Sequence, residues 1–162
     1  MTAHAYIDTA ADGTGDGTTR SHTTATGAYA SMASWESSEQ TTLTENHIVR
    51  CAGSTDDTTV VSISGWTPGI YTISILGDKG EDDTSAGGDD GTAFDDDGFY
   101  DGNFSHGSSH YELTQSGGFV TLSVGEENVV IDGIQIYCGK PSSGAVAAEV
   151  GYTDTIINNC RV

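Results

Sequence analysis

Short runs of alternating apolar and polar residues recur along this chain, and two of them superimpose. Ile131-Asp132-Gly133-Ile134-Gln135-Ile136 lies over Ile157-Asn158-Asn159-Cys160-Arg161-Val162 at an offset of 26 residues. Apolar falls on apolar at both ends, and Asp132-Gly133 falls on Asn158-Asn159. In each copy a β-branched run is interrupted by two residues that tolerate left-handed backbone angles, after which the alternation resumes. The pattern predicts a strand, a sharp corner and a second strand. Turn residues returning at one position of a fixed period are the mark of a solenoid, whose coils bury their inward side chains by stacking on one another.

Other segments fit the same scheme. His4 to Asp8 reads as a first strand, followed by a glycine-rich loop from Ala11 to Gly17. That loop faintly resembles calcium-binding nonapeptide repeats, but it occurs once, so a plain turn is expected. From Gly27 to Gln40 the period changes, with Ala28, Met32 and Trp35 at helical spacing, which predicts one short helix covering the open end of the solenoid. Met32 and Trp35 are then cap packing. The runs His47–Cys51, Thr59–Trp66 and Tyr71–Leu76 read as the strands of a first coil, with Trp66-Thr67-Pro68-Gly69 as a turn and Trp66 packed over the coil edge. Tyr111–Leu113, Phe119–Val124 and Ala145–Val150 supply further strands. The expected organisation is an N-terminal strand, loop and capping helix over 1–46, and coils over 47–162 interrupted by an acidic loop at 78–101.

Composition agrees with many short strands joined by turns: 22 glycines and 2 prolines in 162 residues. The balance of 24 acidic to 5 basic residues, a net charge of −19, repels nucleic acid phosphates and anionic lipid, so neither is an expected partner. No apolar run approaches the ~20 residues of a membrane span, and the start Met-Thr-Ala-His lacks the basic and apolar regions of a signal peptide. Cys51, Cys138 and Cys160 show no Cys-x-x-Cys spacing, so the expectation is three small buried hydrophobes rather than a disulfide framework or zinc site. Cys160 overlies Ile134 in the repeat.

The insert from Asp78 to Asp101 carries ten carboxylates among glycines and cannot bury a core, so it is expected to loop outward into solvent. If it gathers a cation, that cation is calcium, with Asp95, Asp97 and Asp101 as first candidates, although Asp95-Asp96-Asp97-Gly98 does not match an EF-hand loop. The stretch Gly98–His106 is aromatic and glycine-rich, a turn region able to serve as a contact surface. His106 and His110 have a helical metal spacing, but Gly107-Ser108-Ser109 between them argues against a helix and for exposed loop histidines. Asn103-Phe104-Ser105 fits a glycosylation sequon, of little weight without a secretory signal.

One family resemblance runs through these elements. Tyr29-x-x-Met32-x-x-Trp35-Glu36-x-x-Glu39-Gln40 is followed by Ile48-Val49-Arg50-Cys51 and Val61-x-Ile63-x-Gly65-Trp66-Thr67. Tyr71-Thr72-Ile73-Ser74-Ile75 and Val129-Val130-Ile131-Asp132-Gly133-Ile134-Gln135-Ile136 complete the order. The series resembles the amino-terminal part of right-handed parallel β-helix proteins of tailed-bacteriophage virions. It covers Gly27 to Val162 apart from the acidic insert. The resemblance implies an all-β fold, a short right-handed parallel β-helix with an N-terminal capping helix. It further implies a fibre, spike, tail or capsid-surface role, with other copies of the chain and other virion proteins as partners, host surface polysaccharide as a contact, and the particle surface as location. It brings no catalytic set.

The residues point the same way on chemistry. No nucleophile elbow or phosphate loop is present, and the expectation is a non-enzymatic protein with no catalytic residues and no resident cofactor. The rival readings are a polysaccharide hydrolase or lyase on a β-helix scaffold and an extracellular adhesin. Acidic pairs would serve the former, but Arg20, Arg50, Lys79, Lys140 and Arg161 are scattered. After Val162 an uncapped coil would leave backbone donors and acceptors unpaired, so a further domain, another copy or a particle surface is expected to cover it.

Overall fold

The structure, a computed structural model, describes residues 2–19, 21, 23–53, 55–77, 111–115, 120–138, 146–152, 154–158 and 160. The acidic insert 78–101 and the histidines at 106 and 110 lie outside these residues. Ten strands and one helix are described: β1 (Thr2–Asp8), α1 (Met32–Glu39), β2 (Asn46–Ala52), β3 (Val61–Ile63), β4 (Ile73–Gly77), β5 (Glu112–Gln115), β6 (Val120–Val124), β7 (Val129–Asp132), β8 (Gln135–Cys138), β9 (Val146–Val150) and β10 (Ile156–Asn158). Among the described residues the protein is mostly strand with one short helix, and every pairing between strands is parallel.

The strands form three sheets, ordered β1-β2-β4-β7-β10, β3-β6-β9 and β5-β8. A parallel bridge from Asp57 to Leu113 extends the two-stranded sheet by one position. From β2 onward the chain visits the sheets in one cyclic order. β2, Asp57 and β3 are followed by β4, β5 and β6, then by β7, β8 and β9, and β10 returns to the first sheet. The repeat read from the sequence is the pairing of its last two rungs, because Ile157 pairs with Ile131 and Asn158 with Asp132, 26 positions earlier. The same step joins β2 to β4, where His47 pairs with Ile73, and β6 to β9, where Leu122 pairs with Ala148. The largest sheet begins earlier than expected, since β1 already pairs with β2 from Thr2↔Asn46 to Asp8↔Ala52.

In-register pairing piles like residues into columns. Ala5, Val49, Ile75 and Ile131 are buried in one column, and Ile157 packs on its end. Val61 and Leu122 form another, Ile63 and Val124 a third, and Leu113 and Ile136 a fourth. Each full burial of such a side chain stabilises the fold by roughly 1.5–3 kcal/mol relative to exposure. Rungs ~4.8 Å apart leave no room for side chains at the corners. A Cβ on Gly77 would meet Gly133 O at 2.1 Å, and Gly133 itself has φ +72°, which makes both glycines a steric requirement of the Asp132-Gly133 corner. Asn128, at φ 56°, holds the preceding corner by donating from Nδ2 to Gly69 O at 2.9 Å.

The helix is shorter than the spacing of Ala28, Met32 and Trp35 predicts. Tyr29 N donates to Tyr6 O at 2.9 Å and Tyr29 bridges Ile7, so this stretch is extended along β1. The helix starts where Ser31, in extended conformation, turns its Oγ to accept from Ser34 N at 3.1 Å. Met32 and Trp35 are fully buried, as cap packing requires. Cys51 is also fully buried, whereas Cys138 and Cys160 are only half-buried, so the expectation of three core thiols holds for one of them. Cys160 does lie at the end of the repeat, packed against the core with its Sγ 3.8 Å from Ile131 O.

Candidate functional site

The most developed polar constellation among the described residues lies where α1 meets the first coil. Two polar residues stand there in columns that are otherwise apolar. His47 occupies the inward position of the column that continues as Ile73 and Val129, and it is buried. Asp57 stands at the head of the column of Leu113 and Ile136, and it is buried as well. A buried polar group is tolerated only when it is hydrogen-bonded, and each of these two is bonded to the cap helix.

The Trp35 indole donates from Nε1 to His47 Nε2 at 3.2 Å. Trp35 also stacks on Trp66 with ring centroids 5.5 Å apart, and His47 lies 5.4 Å from Trp66, so the three rings form one cluster between α1, β2 and the turn after β3. Trp66 is 4% exposed, packed as expected over the coil edge, and its backbone N donates to Glu126 Oε1 at 3.0 Å. Burial pushes the His47 imidazole below its ordinary value; His4 adds to this, while Glu39 and Glu45 act in the opposite sense.

Asp57 serves as a hub. One carboxylate oxygen accepts from Met32 N, the first amide of α1, at 2.8 Å and from the Tyr111 hydroxyl. The other accepts from Thr59 N at 3.0 Å and Thr59 Oγ1 at 2.5 Å. A carboxylate at the helix N-terminus also complements the helix dipole. Burial, followed by the Asp57 charge, pushes the Tyr111 phenol well above its usual range. Tyr111 therefore stays a neutral donor.

The third anchor closes a strand edge. Just beyond β3, Ser64 N donates to Glu36 Oε1 at 3.1 Å, and Ser64 O accepts from Gln40 Nε2. Side chains of α1 thus stand where a neighbouring strand would otherwise be. On the outer side of β1, Tyr6 N donates to Gly17 O at 3.0 Å and Asp8 N to Tyr29 O at 2.8 Å. Tyr29 is tied to the helix, its hydroxyl donating to Glu39 Oε1 at 2.7 Å; burial and then that carboxylate push its phenol upward.

The other end is built differently. Among the described residues β8, β9 and β10 are the last strands of their sheets; Tyr137 and Ile156, alternating with inward Ile136 and Ile157, lie on the outer face and are half-exposed. Val150 shares a column with Ile63 and Val124, which are buried, and as the last described member of that column it is 42% exposed.

The sequence-stated metal candidates Asp95, Asp97 and Asp101 lie outside the described residues, as do His106 and His110. Among the described residues no group of three or more His, Cys, Asp or Glu side chains is placed to hold a metal, and no helix is long and apolar enough to cross a membrane. His47 and Asp57 were not singled out from sequence. Their signal is a polar residue whose partner in the next rung is apolar: Ile73, one 26-residue step after His47, and Leu113, which follows Asp57 across the insert. The cluster orders a helix and seals an edge, and its chemistry is that of an anchor. No family model, no curated protein and no solved structure matches this chain.

Proposed function

We propose that this chain is a structural protein of a phage-like particle, built as a short right-handed parallel β-helix. It serves as a rigid, non-enzymatic display scaffold: a capsid-surface decoration, a head fibre, or a component of a tail fibre or spike. The observation that carries this reading is the cyclic visiting of three parallel sheets, one end sealed by α1 and the last described rung leaving Val150 of an inward column 42% exposed. Parallel crossovers in one sheet are right-handed in about 98% of cases, which supports that hand for each coil.

A ladder of this kind is stiff because every rung is bonded to its neighbours and adds an apolar layer to a continuous core. The acidic sequence 78–101 follows β4 in the chain, and its ten carboxylates among glycines suit a contact with host surface glycans. The exposed terminal rung suits apposition of further strands: another coil, a second copy or a neighbouring virion protein. The resemblance of Tyr29–Gln40 and Val129–Ile136 to virion β-helix proteins supports the particle assignment.

Two experiments test this. Antibody against the chain, applied to intact particles from cultures that carry its coding sequence, is expected to label their surface. Label confined to the particle-free fraction overturns the proposal. Incubation with capsular and cell-wall glycans, with and without calcium, is expected to release neither reducing ends nor unsaturated sugar. Release of either favours the hydrolase or lyase.

A further inference from the structure

We infer that His47 is an acid-sensitive latch for the cap helix: its protonation withdraws the acceptor that holds Trp35, frees α1 from the first coil and uncovers the strand edge at Ser64. The geometry sets this up in three ways. His47 Nε2 accepts the Trp35 indole N–H, so that nitrogen carries no proton in the closed state. An imidazolium has no acceptor, and its Nε2–H would face the indole N–H donor head-on. The ring is also buried between Trp35 and Trp66, and so has no room to turn toward solvent without parting them.

The charged groups around it come from each packed element. α1 contributes Glu39, β1 contributes His4, and the segment leading into β2 contributes Glu45. On the β4 side its neighbour is apolar Ile73. Glu36 is engaged with Ser64 and Glu126 with Trp66 N. The two carboxylates favour the imidazolium, yet burial outweighs them and the closed ring resists protonation. Opening the cap restores the ordinary value of 6.5 and takes up a proton. The latch is therefore tight above pH 6.5. Below it, the ratio of open to closed cap rises by up to about tenfold per pH unit, until the pH reaches the closed-state value.

Both tryptophans of the chain belong to the cluster, so emission excited at wavelengths that tyrosine does not absorb reports on the latch. Tryptophan emission and amide hydrogen-exchange protection are to be followed from pH 7.5 to 5.0 on the whole chain. The expected result is a change in emission together with a fall of up to about thirtyfold in protection at α1 and Ser64, while β4 and β7 keep theirs. H47Q keeps an acceptor for the indole and does not titrate, so its protection profile is expected to be flat. Unchanged wild-type protection, an equal loss in H47Q, or simultaneous loss in β4 and β7 overturns the proposal. If H47Q fails to fold, the wild-type His47 ring resonance decides: a midpoint below 6.5 upholds the latch, and one at or above 6.5 overturns it.

Discussion

The two ends of the ladder solve one problem in opposite ways. At the N-terminal end α1 anchors to all three sheets: through Trp35 and His47 to the largest, through Met32 N and Asp57 to the two-stranded one, and through Glu36 and Gln40 to Ser64 beside β3. At the other described end the column of Ile63 and Val124 finishes on Val150, which is 42% exposed. Side chains at the first end cover strand edges, while at the last described rung Val150 stands 42% exposed above buried Val124. The difference gives the rod a direction.

Substitutions sharpen that contrast. The largest effect is expected from Asp57→Ala, which leaves Met32 N, Thr59 N and the Tyr111 hydroxyl without their buried acceptor; urea unfolding should show a loss of about 3–5 kcal/mol. Ile131→Ala, in the middle of a column, should cost about 2–4 kcal/mol in the same assay. Gln40→Ala removes one bond at the Ser64 edge and should cost about 1 kcal/mol, with faster exchange confined to α1 and β3. Ile156→Ala on the outer face of β10 should change stability by no more than about 0.5 kcal/mol. Tyr152→Ser should likewise leave stability unchanged while weakening any self-association seen by light scattering. If Val150→Ala, at the inward position of the last described rung, instead cost as much as Ile131→Ala, the end would not be open and the contrast would fail.

How much of this was legible from sequence depended on what each residue faces. The corner at Asp132-Gly133 was readable because Gly77 stacks so tightly beneath it that side chains are excluded, and the overlay of Ile131 on Ile157 follows the pairing register. The earlier rungs were hidden for two reasons. The insert stretches the step from Ile73 to Val129, and the step from His47 to Ile73 sets a polar residue against an apolar one. Sheet membership of Asp57 rests on a single bridge, too short to leave any alternation. The early start predicted for the helix came from Ala28, which is buried by extended pairing along β1 rather than by a helical face.

The account stands on the parallel stacking of coils, and cross-strand nuclear Overhauser contacts test it most directly. The ladder predicts in-register backbone contacts from Val49 to Ile75, from Ile75 to Ile131 and from Ile131 to Ile157, all in the parallel pattern. Antiparallel contacts between these segments, or none between Ile131 and Ile157, would contradict it.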